Sequence, residues 1–234
     1  MKTIGLIGGM SWESTVTYYQ VINETVKERL GGLHSAKILL HSVDFAEIEQ
    51  LQAAGDWEKS GELMADAASG LEQAGAELIV ICTNTMHKVA PRSEERVSIP
   101  LLHIAETTAA RLQEQCIDTV ALLGTKYTMT QDFYKDKLIQ AGIQVVIPDA
   151  EGVETVNRII YQELCLGILL PESHRILQKI VDQLAARGAQ GVILGSTEIG
   201  LLIDQKDVPL PVFATTLIHA EEAALWSLTD GGEA

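Results

Sequence analysis

Two short stretches place hydroxyl and amide side chains directly after apolar runs: VICTNT at 80–85 and ILGSTE at 193–198. In the first, the run ends at Cys82, and Thr83, Asn84 and Thr85 follow where a strand should turn into a helix. Backbone N–H groups at such a turn, joined by two hydroxyls and an amide, bind an anion without any lysine or arginine, and a carboxylate suits them. In the second, Gly195 permits close approach, and Ser196 and Thr197 take the corresponding places. The alternative is that Thr83 and Ser196 only cap the helices that follow, as Ser and Thr often do.

Two further loops share this character. GLIGGMSWEST, starting at Gly5, ends a strand at Gly8 and Gly9 and opens a helix over 10–14. LLGTKYTM offers Gly124, Thr125, Tyr127 and Thr128 to a small polar ligand, although Tyr127 serves equally well as packing at a helix start. Neither GxGxxG nor GxxxxGK[ST] is present, so dinucleotide and P-loop sites are not expected. The six histidines (His34, His41, His87, His103, His174 and His219) show no HExxH or other tight ligand spacing. No metal site is expected from them. His87 lies four residues beyond Thr83 and either faces the same loop or is a satisfied structural histidine. His219 reads as a helix residue packing against the second half. Glu163 and Glu198 are the carboxylates nearest these loops, weighed against ordinary surface glutamates.

The elements that must hold these loops repeat as well. GLIGG from Gly5 is answered by ALLGT from Ala121, and IPLLHIAETTAA from Ile99 by LPVFATTLIHA from Leu210. Three matches in one order predict an internal duplication, with a small ligand held between matching loops. Strands are expected near 3–8, 36–42, 77–82, 101–104, 119–124, 144–147, 191–194 and 212–213. Helices are expected near 12–29, 57–74, 107–115, 131–141, 151–166, 172–187 and 216–228. Start and stop signals agree: Ser11 or Ser14 as N-cap, Pro171 with Glu172 in a first turn, Gly142 and Gly188 at helix ends. Alternating strands and helices predict an α/β fold of two pseudo-symmetric domains, each a mainly parallel sheet flanked by helices. The division is expected at 1–115 and 116–228, with the C-terminal helix able to pack across onto the first domain and 229–234 as a frayed tail. Ligands of open α/β sheets bind at the carboxyl ends of the strands, where the repeat puts its polar residues.

Composition narrows the partners. A formal net charge of −15 and the lack of a basic run argue against nucleic acid. No apolar run is long enough to cross a bilayer, and the N-terminus runs straight into a strand pattern, so no membrane association and a cytoplasmic location are expected. Three widely spaced cysteines, Cys82, Cys116 and Cys165, form neither a disulfide framework nor a CxxC pattern.

GLIGGMSWEST, SVDF, CTNTMHK, LLGTKYTM, ELCLG and GSTEIGLL together resemble the aspartate/glutamate racemase family over nearly the whole chain. The resemblance implies an active site in the cleft between two similar domains, no cofactor, a homodimer, and a small acidic amino acid (L-aspartate or L-glutamate) as substrate. It also implies a two-base scheme, in which one residue removes the α-proton and another returns a proton to the opposite face. The family's two catalytic cysteines fall at Thr83 and Ser196. By the same resemblance Asn84 and Thr85 hold the α-carboxylate, and Met10 and Thr197 line the site. Gln52 and Thr125 are candidates for the side-chain carboxylate or α-amino group. Lys126 is the nearest loop cation for a distal carboxylate, and Ala214 stands where the family often has Asp.

A thiol of reference pKa about 8.5 is readily lowered to a thiolate, whereas an unactivated hydroxyl is a far weaker base. Cys82 is not expected to substitute, because successive strand residues point to opposite faces. The chain is therefore expected to be a nearly inactive Cys-to-Ser form of a racemase. The competing expectations are an acidic amino-acid binding protein without catalysis, or another reaction of the superfamily such as hydantoin racemisation, arylmalonate decarboxylation or maleate isomerisation.

Overall fold

Central strands that are apolar on both faces require a sheet covered on both sides, and four segments have that pattern. The structure, a computed structural model, describes residues 1–229. In chain order its elements are β1 (Thr3–Gly8), α1 (Trp12–Leu30), β2 (Lys37–Ser42), α2 (Phe45–Ala54), α3 (Trp57–Gln73), β3 (Leu78–Ile81), α4 (Ala90–Arg96) and β4 (Leu101–Leu102). There follow α5 (Ile104–Glu114), β5 (Thr119–Gly124), α6 (Lys126–Thr130), α7 (Asp132–Gln140), β6 (Gln144–Val146), α8 (Ala150–Gln162), α9 (Pro171–Ala186), β7 (Gly191–Gly195), β8 (Val212–Ala214) and α10 (Thr215–Leu228). Short 3₁₀ turns occupy Thr85–Val89, Leu164–Leu166 and Ile199–Leu201.

The strands form two parallel four-stranded sheets, ordered β2-β1-β3-β4 and β6-β5-β7-β8. Each strand of the first sheet has a counterpart in the same place in the second. The duplicated stretches are the pairs β1 and β5, β3 and β7, and β4 and β8. The chain divides into one unit of Met1–Ile104 with the segment from His219 onward, and a second of Ala105–Ile218.

In the first unit the period-2 alternation of β3 separates two cores. Ile79 and Ile81 join Ile7, Met10, Ile48, Met64, Leu71 and Met86 on one side. Leu78, Val80 and Cys82 join Ile4, Leu6, Tyr18, Ile22 and Val26 on the other, where Ala220, Ala223 and Ala224 of α10 complete the packing. In the second unit, β5 and β7 are buried almost throughout, and the buried residues of α8 (Val153, Val156, Ile159, Ile160) and α9 (Leu177, Ile180, Val181, Leu184) recur at the helical period.

Several expectations change in detail. The helix expected over 151–166 stops at Gln162, because Glu163 leaves helical geometry (φ −126°, ψ −69°) and the chain tightens into a 3₁₀ turn closed by Gly167 in the left-handed region. Helix α2 was not expected, although Asp44 caps its start through Ala46 N–H and Gly55 (φ 72°) ends it. The two compact units divide between Ile104 and Ala105, within the first turn of α5, and the rest of α5 bonds to the elements that follow it: Lys137 Nζ reaches Glu106 at 2.5 Å and Gln113 Nε2 donates to the Ala141 carbonyl at 2.9 Å. Of the expected frayed tail, residues 230–234 lie outside the described residues. No helix among the described residues is long and apolar enough to cross a membrane.

Candidate functional site

The loop after β3 is set by its backbone. Thr83 N–H donates to the Ile81 carbonyl (2.9 Å), which turns the chain sharply as the strand ends. Five residues of 3₁₀ helix follow, not the α-helix that the sequence suggests, and a shorter 3₁₀ turn of three residues, Ile199–Leu201, follows β7. No long helix dipole therefore points at either loop. Thr83 and Ser196 are not the capping residues either: those positions belong to Asn84 and Glu198, and neither makes a side-chain capping bond. Asn84 and Thr85 are buried and Thr83 is half-buried.

His87 holds this loop from beneath. Its Nε2 accepts from Ile104 N–H at 3.2 Å, so the proton sits on Nδ1, which donates to the Thr83 carbonyl at 2.8 Å. Burial pushes its pKa down to about 4. A neutral ring linking the Thr83 loop to the start of α5 is thus a positioning group. His103 and His219 meet its ring edge-on, with ring centroids 4.6 and 5.6 Å away. His219 does not pack against the second unit as the sequence suggests. Its Nε2 donates to the Leu102 carbonyl (2.8 Å) and its Nδ1 accepts from the Tyr18 hydroxyl (2.7 Å), both in the first unit. Burial, with the nearby His87, lowers it to about 3. No sequence spacing could reveal this cluster, because His219 is supplied by the far end of the chain.

Two other sequence candidates reach the same region of the first unit. Met10 packs in one core with Met86, and Gln52 Nε2 donates to Met86 Sδ at 3.2 Å. The glycine loop that carries Met10 is tied down by Thr15, whose Oγ1 accepts from Gly9 N–H and donates to the Ser11 carbonyl, each at 2.9 Å. Cys82 lies fully buried in the opposite core, and burial raises its thiol pKa far above the ordinary value.

In the second unit Ser196 directly follows β7. Its Oγ donates to Glu198 Oε2 at 2.8 Å and accepts from Glu198 N–H at 3.4 Å. Both residues are buried and Thr197 between them is half-buried. Thr125 caps α6 by accepting from Thr128 N–H. Lys126 is ion-paired with Glu154 on the surface. Glu163 is also buried, with Arg158 Nη1 at 2.7 Å and Ser173 Oγ at 2.5 Å on its two oxygens. Its charge is balanced within the α8–α9 connection. Among the described residues, no group of three or more His, Cys, Asp or Glu could hold a metal ion.

Two equivalent α/β units, each ending a central strand in small polar residues, define an open-sheet α/β protein of the kind that binds small ligands at strand carboxyl ends. The chain belongs to the Asp/Glu/hydantoin racemase family, whose pattern it matches over residues 7–223. It is 56% identical to a candidate Asp/Glu racemase from Yersinia pestis, with a TM-score of 0.92 over 98% of this chain and 100% of that one. An aspartate racemase homologue from Pyrococcus horikoshii is 37% identical, with a TM-score of 0.84 over 97% of this chain and 99% of that one. The broad specificity amino-acid racemase RacX of Bacillus subtilis is 23% identical over 166 residues, 71% of each chain.

Proposed function

We propose that this chain is a cofactor-independent amino-acid racemase scaffold for aspartate or glutamate, with Thr83 and Ser196 at the two proton-transfer positions. The reading rests on one observation above all: Thr83 and Ser196 follow the equivalent strands β3 and β7 of a duplicated fold that belongs to the racemase family. In this reading Asn84 and Thr85 hold the α-carboxylate, Met10 and Thr197 line the site, and Gln52 and Thr125 meet the remaining polar groups of the substrate. The protein would act as a cytoplasmic homodimer.

Hydroxyls in place of thiols make turnover slow. Proton transfer from carbon needs a base poised near the working pH, and a positioned base contributes roughly 10²–10⁴-fold. Cys82 supplies no substitute, since its thiol is buried in the core and held protonated. The same hydroxyl pair also favours a second reading, an acidic amino-acid binding protein without catalysis.

Deuterium exchange at Cα of L- and D-aspartate and L- and D-glutamate in D₂O, followed by NMR, separates the two. Ser196→Cys is expected to raise exchange and racemisation by about 100-fold or more over the parent chain. A variant that binds aspartate with unchanged affinity yet exchanges nothing would leave the binding protein standing.

A further inference from the structure

Glu198 is the residue to which Ser196 gives its hydrogen bond, and the pair is arranged for proton relay. The 2.8 Å bond runs from Ser196 Oγ to Glu198 Oε2, so the carboxylate is placed to receive the hydroxyl proton. The Glu198 N–H lies 3.4 Å from the same oxygen and favours negative charge building on it. Ser196 is 5% and Glu198 8% exposed, which keeps the pair out of bulk water.

Resting on the racemase reading above, we propose that Glu198 is the proton acceptor on the Ser196 side, acting through the serine hydroxyl. The Cα–H bond breaks and its electron pair stays on the substrate, spread into the α-carboxylate. The proton passes to Ser196 Oγ as the serine's own proton passes to Glu198 Oε2. The carboxylate becomes a carboxylic acid, the serine remains a hydroxyl, and no oxidant or second reactant is needed. Reversal returns a solvent-derived proton to Cα. A hydroxyl that is inert as an isolated base is thereby activated by a neighbouring carboxylate, the general logic of a nucleophile or base oriented by a third group.

The test is a double-mutant cycle read by Cα deuterium exchange on L- and D-aspartate, using the parent chain, Glu198→Gln, Ser196→Cys and the double variant. The parent chain is expected to exchange one enantiomer measurably above buffer, and Glu198→Gln to reduce that rate by about 100-fold or more. In the Ser196→Cys background the thiolate is itself the base, so Glu198→Gln is expected to cost less than about 10-fold. Equal losses in both backgrounds would mean that Glu198 only supports the loop, and the proposal would be wrong. So would a parent chain at buffer rate beside an active Ser196→Cys. If Ser196→Cys binds but never exchanges, the racemase reading itself fails. Should Glu198→Gln not fold, Glu198→Asp keeps the charge, withdraws it by one methylene, and carries the same comparison.

Discussion

At the scale of single residues, environment decides what each titratable group can do. Three carboxylates and thiols of similar sequence promise end in different states: Glu163 is neutralised by Arg158, Glu198 is turned on Ser196, and Cys82 is sealed in the core. The buried histidines make the clearest pH statement. His87 and His219 titrate near 6.5 when unfolded and at about 4 and about 3 when folded, because burial disfavours the imidazolium. Between those limits the unfolded chain binds more protons than the folded one, so stability rises with pH. It is fully present above 6.5 and is lost as pH falls toward about 4 for His87 and about 3 for His219. Each histidine should cost about 2 kcal/mol between pH 7 and pH 5. Urea midpoints measured at the two pH values are expected to fall accordingly, and His219→Gln, which keeps a donor and an acceptor but does not titrate, should flatten the fall. A midpoint independent of pH over this range would count against buried neutral rings.

At the scale of elements, glycines let the strand ends come close enough to carry the polar loops. Gly9 adopts φ +93°, and a Cβ there would stand 2.2 Å from the Val43 carbonyl oxygen. Both the dihedral and the space exclude a side chain. Gly9→Ala is expected to destabilise the protein by at least about 2 kcal/mol, lowering Tm by about 5 °C or more in a thermal melt. The second unit solves the same problem where β5 meets β7: a Cβ on Gly124 would be 2.8 Å from the Gly195 carbonyl oxygen, and one on Gly195 3.0 Å from that of Leu123. Ser196 follows this close contact directly. Its position is thus fixed by strand packing, which suits a group required to hold one geometry.

At the scale of the whole molecule, the chain is a duplication with a return. The last helix brings Ala220, Ala223 and Ala224 into the first unit's core and closes the Tyr18–His219–Leu102 bonds, while the Lys2 N–H donates to the Ser227 carbonyl at 2.8 Å. The first unit therefore depends on residues at both ends of the sequence. A chain stopped after Ile218 would expose Ile4, Leu6 and Tyr18, each of which contributes about 1.5–3 kcal/mol when buried. Such a truncation is expected to lose cooperative unfolding of the first unit, read by the fluorescence of Trp12 and Trp57. A sharp transition at the parent midpoint would show that α10 is dispensable.

The sequence by itself determined the duplication, the two parallel sheets and the strand ends that carry Thr83 and Ser196, because local periodicity and repeated motifs are written in neighbouring residues. It also determined family membership, since GLIGGMSWEST, CTNTMH and GSTEIG are contiguous. Some elements escaped it: α2, bounded by the Asp44 cap and Gly55, and the 3₁₀ turns, which are too brief for a periodic signal. Only tertiary structure decided that His219 lies beside His87, that α5 from Ala105 onward goes with the second unit, and that Ser196 gives its proton bond to Glu198 while Glu163 is consumed by Arg158. Those outcomes depend on contacts between residues far apart in the chain or on the direction of a side chain, and neither is encoded in spacing.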